Sequence, residues 1–112
     1  MRKLSVLLLV TAVVAALAAS ALAATASVRV GDNYYVRSRG VPTVTVSRNT
    51  TVVWRFRGEQ PHNVTVSRGP AKFRSKTKTS GTYLRKVTRA GTYTIYCSIH
   101  GASDQKMKLV VR

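Results

Sequence analysis

Residues 91–101 read Gly-Thr-Tyr-Thr-Ile-Tyr-Cys-Ser-Ile-His-Gly. Tyr93, Ile95 and Cys97 alternate with Thr92, Thr94 and Tyr96, so a chain extended through this stretch places the first three on one face and the others on the opposite face. The strand then runs into a turn, Cys97-Ser98-Ile99-His100, closed by Gly101. An apolar strand face therefore ends in a thiol, and an imidazole follows it in the turn.

Working outward, short β-branched and aromatic runs recur about every ten residues, at 27–30, 34–37, 43–47, 50–57, 62–67, 83–88, 92–97 and 106–112. Gly, Pro, Asn and Ser separate them. That rhythm predicts an all-β sandwich or barrel. The period of two assigns one face to Val44 and Val46, to Val52, Trp54 and Phe56, to Val64 and Val66, and to Met107, Leu109 and Val111, with Thr, Arg and Lys mostly opposite. No helical period appears beyond the N-terminal segment. Residues 68–81 break the pattern, with Lys72, Arg74, Lys76 and Lys78 at alternate positions. They read as an exposed excursion or a solvated edge strand, whose lysines discourage edge-to-edge pairing.

The chain has 112 residues, enough for one small domain, and carries 19 Lys+Arg against 3 Asp+Glu for a net charge of +16. Its first 28 residues contain only two charges, Arg2 and Lys3, followed by an apolar stretch from Leu4. The Ala-rich end of that stretch holds Ala21-Leu22-Ala23 and Ala24-Thr25-Ala26. This arrangement predicts a secretory signal peptide over residues 1–23, with cleavage near 23 or 26 and a mature domain over 27–112. A retained membrane anchor is the alternative, because the uncharged run to Val28 is long enough to span a bilayer. Export puts the single cysteine in an oxidising compartment without a partner in its own chain. It should then pair between molecules, stay buried and inert, or bind a metal.

The whole chain contains two histidines and one cysteine. That excludes a multinuclear copper cluster, a four-cysteine zinc site and an intramolecular disulfide. His62 opens a run directly after Pro61, in Gln60-Pro61-His62-Asn63-Val64, so His62, Cys97 and His100 all fall at strand ends or in a short turn. Two imidazoles and a thiolate with a weak axial donor are the donor set of blue-copper electron-transfer sites. Taken singly, a buried cysteine is more simply a small hydrophobe, and an isolated histidine a structural one.

Trp54-Arg55-Phe56, Pro61-His62-Asn63-Val64, the 91–101 stretch and the closing run from Met107 to Val111 together resemble the cupredoxins of the plastocyanin and pseudoazurin type. The resemblance covers nearly the whole mature chain. It implies a Greek-key β-sandwich with one type 1 copper at one end, His62 and Cys97 enclosed and His100 nearer solvent. It also implies that Asn63 ties its own strand to the cysteine loop and supports the thiolate by hydrogen bonding. The departure is axial: plastocyanin-like members carry methionine eight residues after the cysteine, where this chain has Gln105, a residue that stellacyanin-like members use there. Met107 lies two residues further on, with the same strand phase. The spacing favours Gln105, with Met107 as the alternative if a bulge shortens the loop.

Removing Arg2 and Lys3 leaves a charge of +14. The only acids are Asp32, Glu59 and Asp104, so an acidic redox partner is expected. Export and the lack of any nucleic-acid-binding motif argue against nucleic acid; an anionic cell-envelope surface is within reach. The leading reading is an exported monomer that shuttles single electrons and is not an enzyme. Its competitors are a copper-delivery protein using the same ligands without redox turnover, and a basic envelope-binding protein in which the metal is incidental.

Overall fold

The computed structural model describes residues 24–36 and 40–112. Eight strands follow in order: β1 (Thr25–Gly31), β2 (Tyr34–Tyr35), β3 (Thr43–Val46), β4 (Thr50–Phe56), β5 (Thr65–Arg68), β6 (Gly81–Val87), β7 (Gly91–Tyr96) and β8 (Lys106–Val111). No helix occurs among the described residues. The signal-peptide expectation falls on residues 1–23, outside the described part.

One sheet has the order β2-β1-β4-β6 and the other β3-β8-β7-β5. Both are mixed, because β1 runs parallel to β4 and β3 parallel to β8 while the remaining pairs are antiparallel. After β2 the chain crosses to the second sheet for β3, returns for β4, and alternates again through β5 and β6. This is the expected Greek-key sandwich. The inward faces meet as the period of two requires, with Val28, Val30, Val52, Trp54 and Phe56 of one sheet packed in one cluster with Val66, Tyr93, Ile95, Met107, Leu109 and Val111 of the other. Val44 and Val46 are only partly buried but pack against that cluster.

Trp54 is fully buried, with ring centroids 5.7 Å from Tyr83 and 5.9 Å from Phe73. Large buried side chains of this kind each contribute about 1.5–3 kcal/mol through removal from water. Phe73 belongs to the irregular segment, and its burial explains how that segment is held. Val66 N–H donates to the Phe73 carbonyl and Ser75 N–H to the Val64 carbonyl, so 73–75 adds a short ribbon outside β5. Phe73 and Ser75 turn inward while Lys72, Arg74 and Lys76 stay exposed. The alternating cations thus lie on a solvated sheet edge.

All eight expected runs form strands, and two are shorter than their composition suggests. β2 stops after Tyr35 because Val36 takes a φ of 68°, a left-handed conformation that leaves the ladder and that β-branched residues seldom adopt. β5 begins at Thr65, and His62 is held instead in an isolated two-bond bridge with Lys78. Both departures are at the end of the sandwich where the histidines and the cysteine gather.

Candidate metal centre

Cys97 lies one residue beyond β7 and Gln105 one residue before β8. Between them the chain makes a compact turn in which Gly101 N–H donates to the Cys97 carbonyl and the N–H groups of Asp104 and Gln105 donate to the Gly101 carbonyl. Gly101 has a φ of 82°, which favours glycine at that corner. The turn brings His100 back over its own strand end, leaving Nδ1 3.4 Å from Cys97 Sγ. His100 Nε2 faces outward, 3.4 Å from Gln60 Oε1.

His62 comes from the other side of the sandwich mouth. Its backbone N–H donates to the Lys78 carbonyl and its carbonyl accepts from Lys78 N–H, both at 2.9 Å. Its ring lies 4.7 Å from that of His100, and one donor atom each from His62, Cys97 and His100 lie within 4.8 Å of one another. His62 and Cys97 are inaccessible to solvent, whereas His100 is half-buried.

Both His62 ring nitrogens face oxygens. Nδ1 is 2.8 Å from Gln105 Oε1, and Nε2 is 2.7 Å from Asp32 Oδ1. The Gln105 orientation follows from its amide nitrogen, which donates to the carbonyls of Gly31 and Tyr34 at 2.9 Å each. With its N–H groups used there, only Oε1 can face His62. A carboxylate and an amide oxygen are both acceptors. A neutral imidazole has one N–H, so it satisfies one of them and leaves the other nitrogen lone pair pointing at oxygen. A cation bound at Nδ1 removes that conflict. The thiol, the two imidazoles and a nearby amide oxygen therefore fit a mononuclear copper ion as a donor set.

Met107 is also fully buried, but it pairs with Ile95, whereas the Gln105 carbonyl accepts from Cys97 N–H. Gln105 is thus level with Cys97, and Met107 is two residues, roughly 6.6 Å, further into the sandwich. Asn63 is fully buried and bonds to the cysteine loop through Ser98. Its Nδ2 donates to Ser98 Oγ at 2.7 Å, and its Oδ1 accepts from Ser98 N–H at 3.0 Å and from Thr65 Oγ1 at 2.9 Å. These bonds go to the residue after the cysteine. Tyr35 holds the same segment, its hydroxyl donating to the Asn63 carbonyl. Burial, with a smaller effect of Cys97, pushes the Tyr35 hydroxyl far above its ordinary pKa, so it remains a donor.

Asp32 was not among the residues singled out from the sequence. It lies in the two-residue loop between β1 and β2, a Gly-Asp-Asn sequence that reads as ordinary turn chemistry. Its carboxylate accepts from His62 and from the backbone N–H groups of Glu59 and Gln60, and these bonds hold its pKa at about 2. The one available signal was scarcity, since it is one of 3 acids in a chain of net charge +16.

No protein-family model matches this chain, and neither does any curated protein. Solved structures do. A reduced tryptophan-to-tyrosine variant of amicyanin is 27% identical with a TM-score of 0.66, over 85% of this chain and 89% of that one. A methionine-to-glutamine variant of amicyanin with Cu(I) is 28% identical with a TM-score of 0.65, over 79% of this chain and 82% of that one. A mutant plastocyanin of fern, in oxidized and reduced structures, is 25% identical with a TM-score of 0.60, over 78% of this chain and all of the other. The chain has a cupredoxin fold with a type 1 copper donor set. His62, Cys97 and His100 are positioned as the ligands of one copper ion at the end of that cupredoxin sandwich.

Proposed function

We propose that the chain is an exported, mononuclear type 1 copper protein that carries single electrons between larger redox partners, without catalysis of its own. The observation that carries this reading is the convergence of both imidazoles and the one thiol at the mouth of a cupredoxin sandwich. His62 and His100 would hold the copper through Nδ1 and Cys97 through Sγ, with Gln105 Oε1 as a further, weaker donor. Three contacts support that assignment: His62 Nε2 is occupied by Asp32, His62 Nδ1 faces Gln105, and His100 Nδ1 faces Sγ. Met107, paired with Ile95 and packed in the core, fills space and holds no metal.

When bound, copper supplies a one-electron couple; the residues around it hold the donors and control access. The Asn63–Ser98 bonds join the two ligand-bearing segments and the His62–Lys78 bridge fixes the His62 backbone, which limits rearrangement between oxidation states. His100 is the exit for the electron. Exposed Ile99 and Ala102 lie beside it in the chain and exposed Pro61 directly precedes His62, so a partner can approach without desolvating charge there. Arg74 reaches Ser98 Oγ at 3.5 Å and Lys78 pairs with the His62 backbone, which places two of the four alternating cations beside the metal end. An acidic partner, met by a monomer of this chain, fits that edge.

Export rests on the N-terminal pattern of residues 1–23. Cleavage after Ala23 leaves β1 whole, whereas cleavage after Ala26 removes Thr25 and Ala26, which pair with Thr51 and Val52. That pairing supports a mature form beginning at Ala24, acting in the periplasm, at the cell surface or after secretion. Adding Cu(II) to it should produce an intense thiolate-to-copper visible band and a fast, reversible one-electron couple. A colourless complex would sink the type 1 assignment, and a coloured complex that does not cycle reversibly would favour copper delivery.

A further inference from the structure

Asp32 makes a contact that the ligand set alone does not require. Its Oδ1 lies 2.7 Å from His62 Nε2, while the other ring nitrogen, Nδ1, faces Gln105. The carboxylate is itself held in place, with Oδ2 accepting from Glu59 N–H and Oδ1 from Gln60 N–H, both at 3.1 Å. Space for it is provided by Gly58. A Cβ there would come within 2.8 Å of the Asp32 carboxyl carbon and 3.0 Å of its backbone nitrogen, closer than real side chains tolerate. The 58–60 segment that leads to His62 is thus shaped around an acid delivered by the β1–β2 loop.

We propose that Asp32 is a positioning residue for the copper centre that fixes the His62 tautomer and biases the centre toward Cu(II). This rests on the copper-carrier reading above. The carboxylate accepts only, so it requires a proton on Nε2 and leaves the Nδ1 lone pair free to bind the metal. A negative partner also raises the basicity of the imidazole it accepts from, and a more basic imidazole favours the more highly charged ion. The fixed tautomer serves both oxidation states, and the raised basicity lowers the reduction potential. Because the Asp32 side chain is 40% exposed, solvent screens its through-space field, and the larger part of the effect passes through the hydrogen bond.

The test uses the copper-loaded protein beginning at Ala24, with Asp32→Asn, Asp32→Ala and Gly58→Ala. Asparagine retains an acceptor oxygen but not the charge, so Asp32→Asn should keep the thiolate band and raise the potential. A tenfold drop in the ratio of Cu(II) to Cu(I) affinity corresponds to about 59 mV for one electron. Asp32→Ala should also lose Cu(II) affinity by about 10–100-fold, the usual effect of removing the group that orients a metal-bound histidine. Gly58→Ala leaves the acid in the chain but crowds it, and should shift the potential in the same direction. The Cu(I) protein adds an independent readout, because the His62 Nε2 proton should exchange slowly in NMR spectra and be lost to rapid exchange in Asp32→Ala. If the wild-type protein shows the band and a reversible couple while Asp32→Asn leaves the potential unchanged, the Asp32 role is wrong and the copper-carrier reading stands. A wild-type protein without the band removes both. Should Asp32→Asn fail to fold, an unmoved potential in Gly58→Ala overturns the proposal in its place.

Discussion

The two histidines of the centre are held in opposite ways. His62 is fully buried, bridged to Lys78 on both sides of its peptide, and has an oxygen within 2.8 Å of each ring nitrogen. His100 sits in a turn, half-buried, with both ring contacts at 3.4 Å. One is a fixture of the sandwich; the other belongs to a loop that is anchored mainly at its ends. For an electron carrier this division is useful, since rigidity limits reorganisation on one side while the other side lets a partner approach.

The comparison breaks most severely at the residue common to both sides. Cys97→Ser should abolish the thiolate-to-copper band completely, and visible absorption of the Cu(II)-loaded protein checks it. Next in size is the contrast between His100→Gly and His62→Gly. A gap at the half-buried His100 should accept free imidazole, which restores the band, whereas a gap at His62 is sealed and should not be rescued at any concentration. Equal rescue of the two variants would erase the distinction.

A smaller effect separates Gln105 from Met107. An amide oxygen is a harder donor than a thioether and stabilises Cu(II), so Gln105→Met should raise the potential, at roughly 60 mV per tenfold loss of Cu(II) preference. Met107→Leu should barely move it and should cost less than about 1.5 kcal/mol in stability, as volume-conserving core changes do. Voltammetry with denaturant unfolding resolves both. The opposite pattern would give the axial role to Met107.

The smallest expected effect concerns the partner side. Reversing Arg74 and Lys76 should slow association with an acidic redox partner while leaving the potential alone. Higher ionic strength should do the same in the wild type, since the Debye length is already about 8 Å at physiological salt. Stopped-flow electron-transfer rates measured across ionic strengths test this; a flat salt profile would leave the cationic edge as a device against sheet-edge pairing only.

The strands were legible because each apolar set obeys a period of two, and a one-residue slip would have turned Trp54, Ile95 or Leu109 to solvent. The three metal donors were legible by elimination, the chain having no other cysteine or histidine. What the sequence concealed were interactions set by distance in space rather than along the chain. Asp32 reads locally as a turn residue, and only the return of 58–62 beside that turn gives its carboxylate a histidine. Strand phase alone did not separate Gln105 from Met107, since they differ only in depth, and only the spacing of the resemblance favoured Gln105. The β7–β8 register, with Ile95 opposite Met107, supplies that depth. Val36 could not be read either, since its left-handed backbone contradicts its own propensity.

The two hydrogen bonds from Gln105 to Gly31 and Tyr34 join positions 74 and 71 residues apart. Such contacts form only after the first hairpin and the last strand have met, so they belong to the late part of folding, where loop closure is most demanding. Until then Gln105 is free to rotate and His62 lacks the acid carried by that hairpin. The complete pocket therefore needs both ends of the domain in place, and a chain still being translated holds at most part of it. Metal loading is thereby tied in time to the completion of the fold.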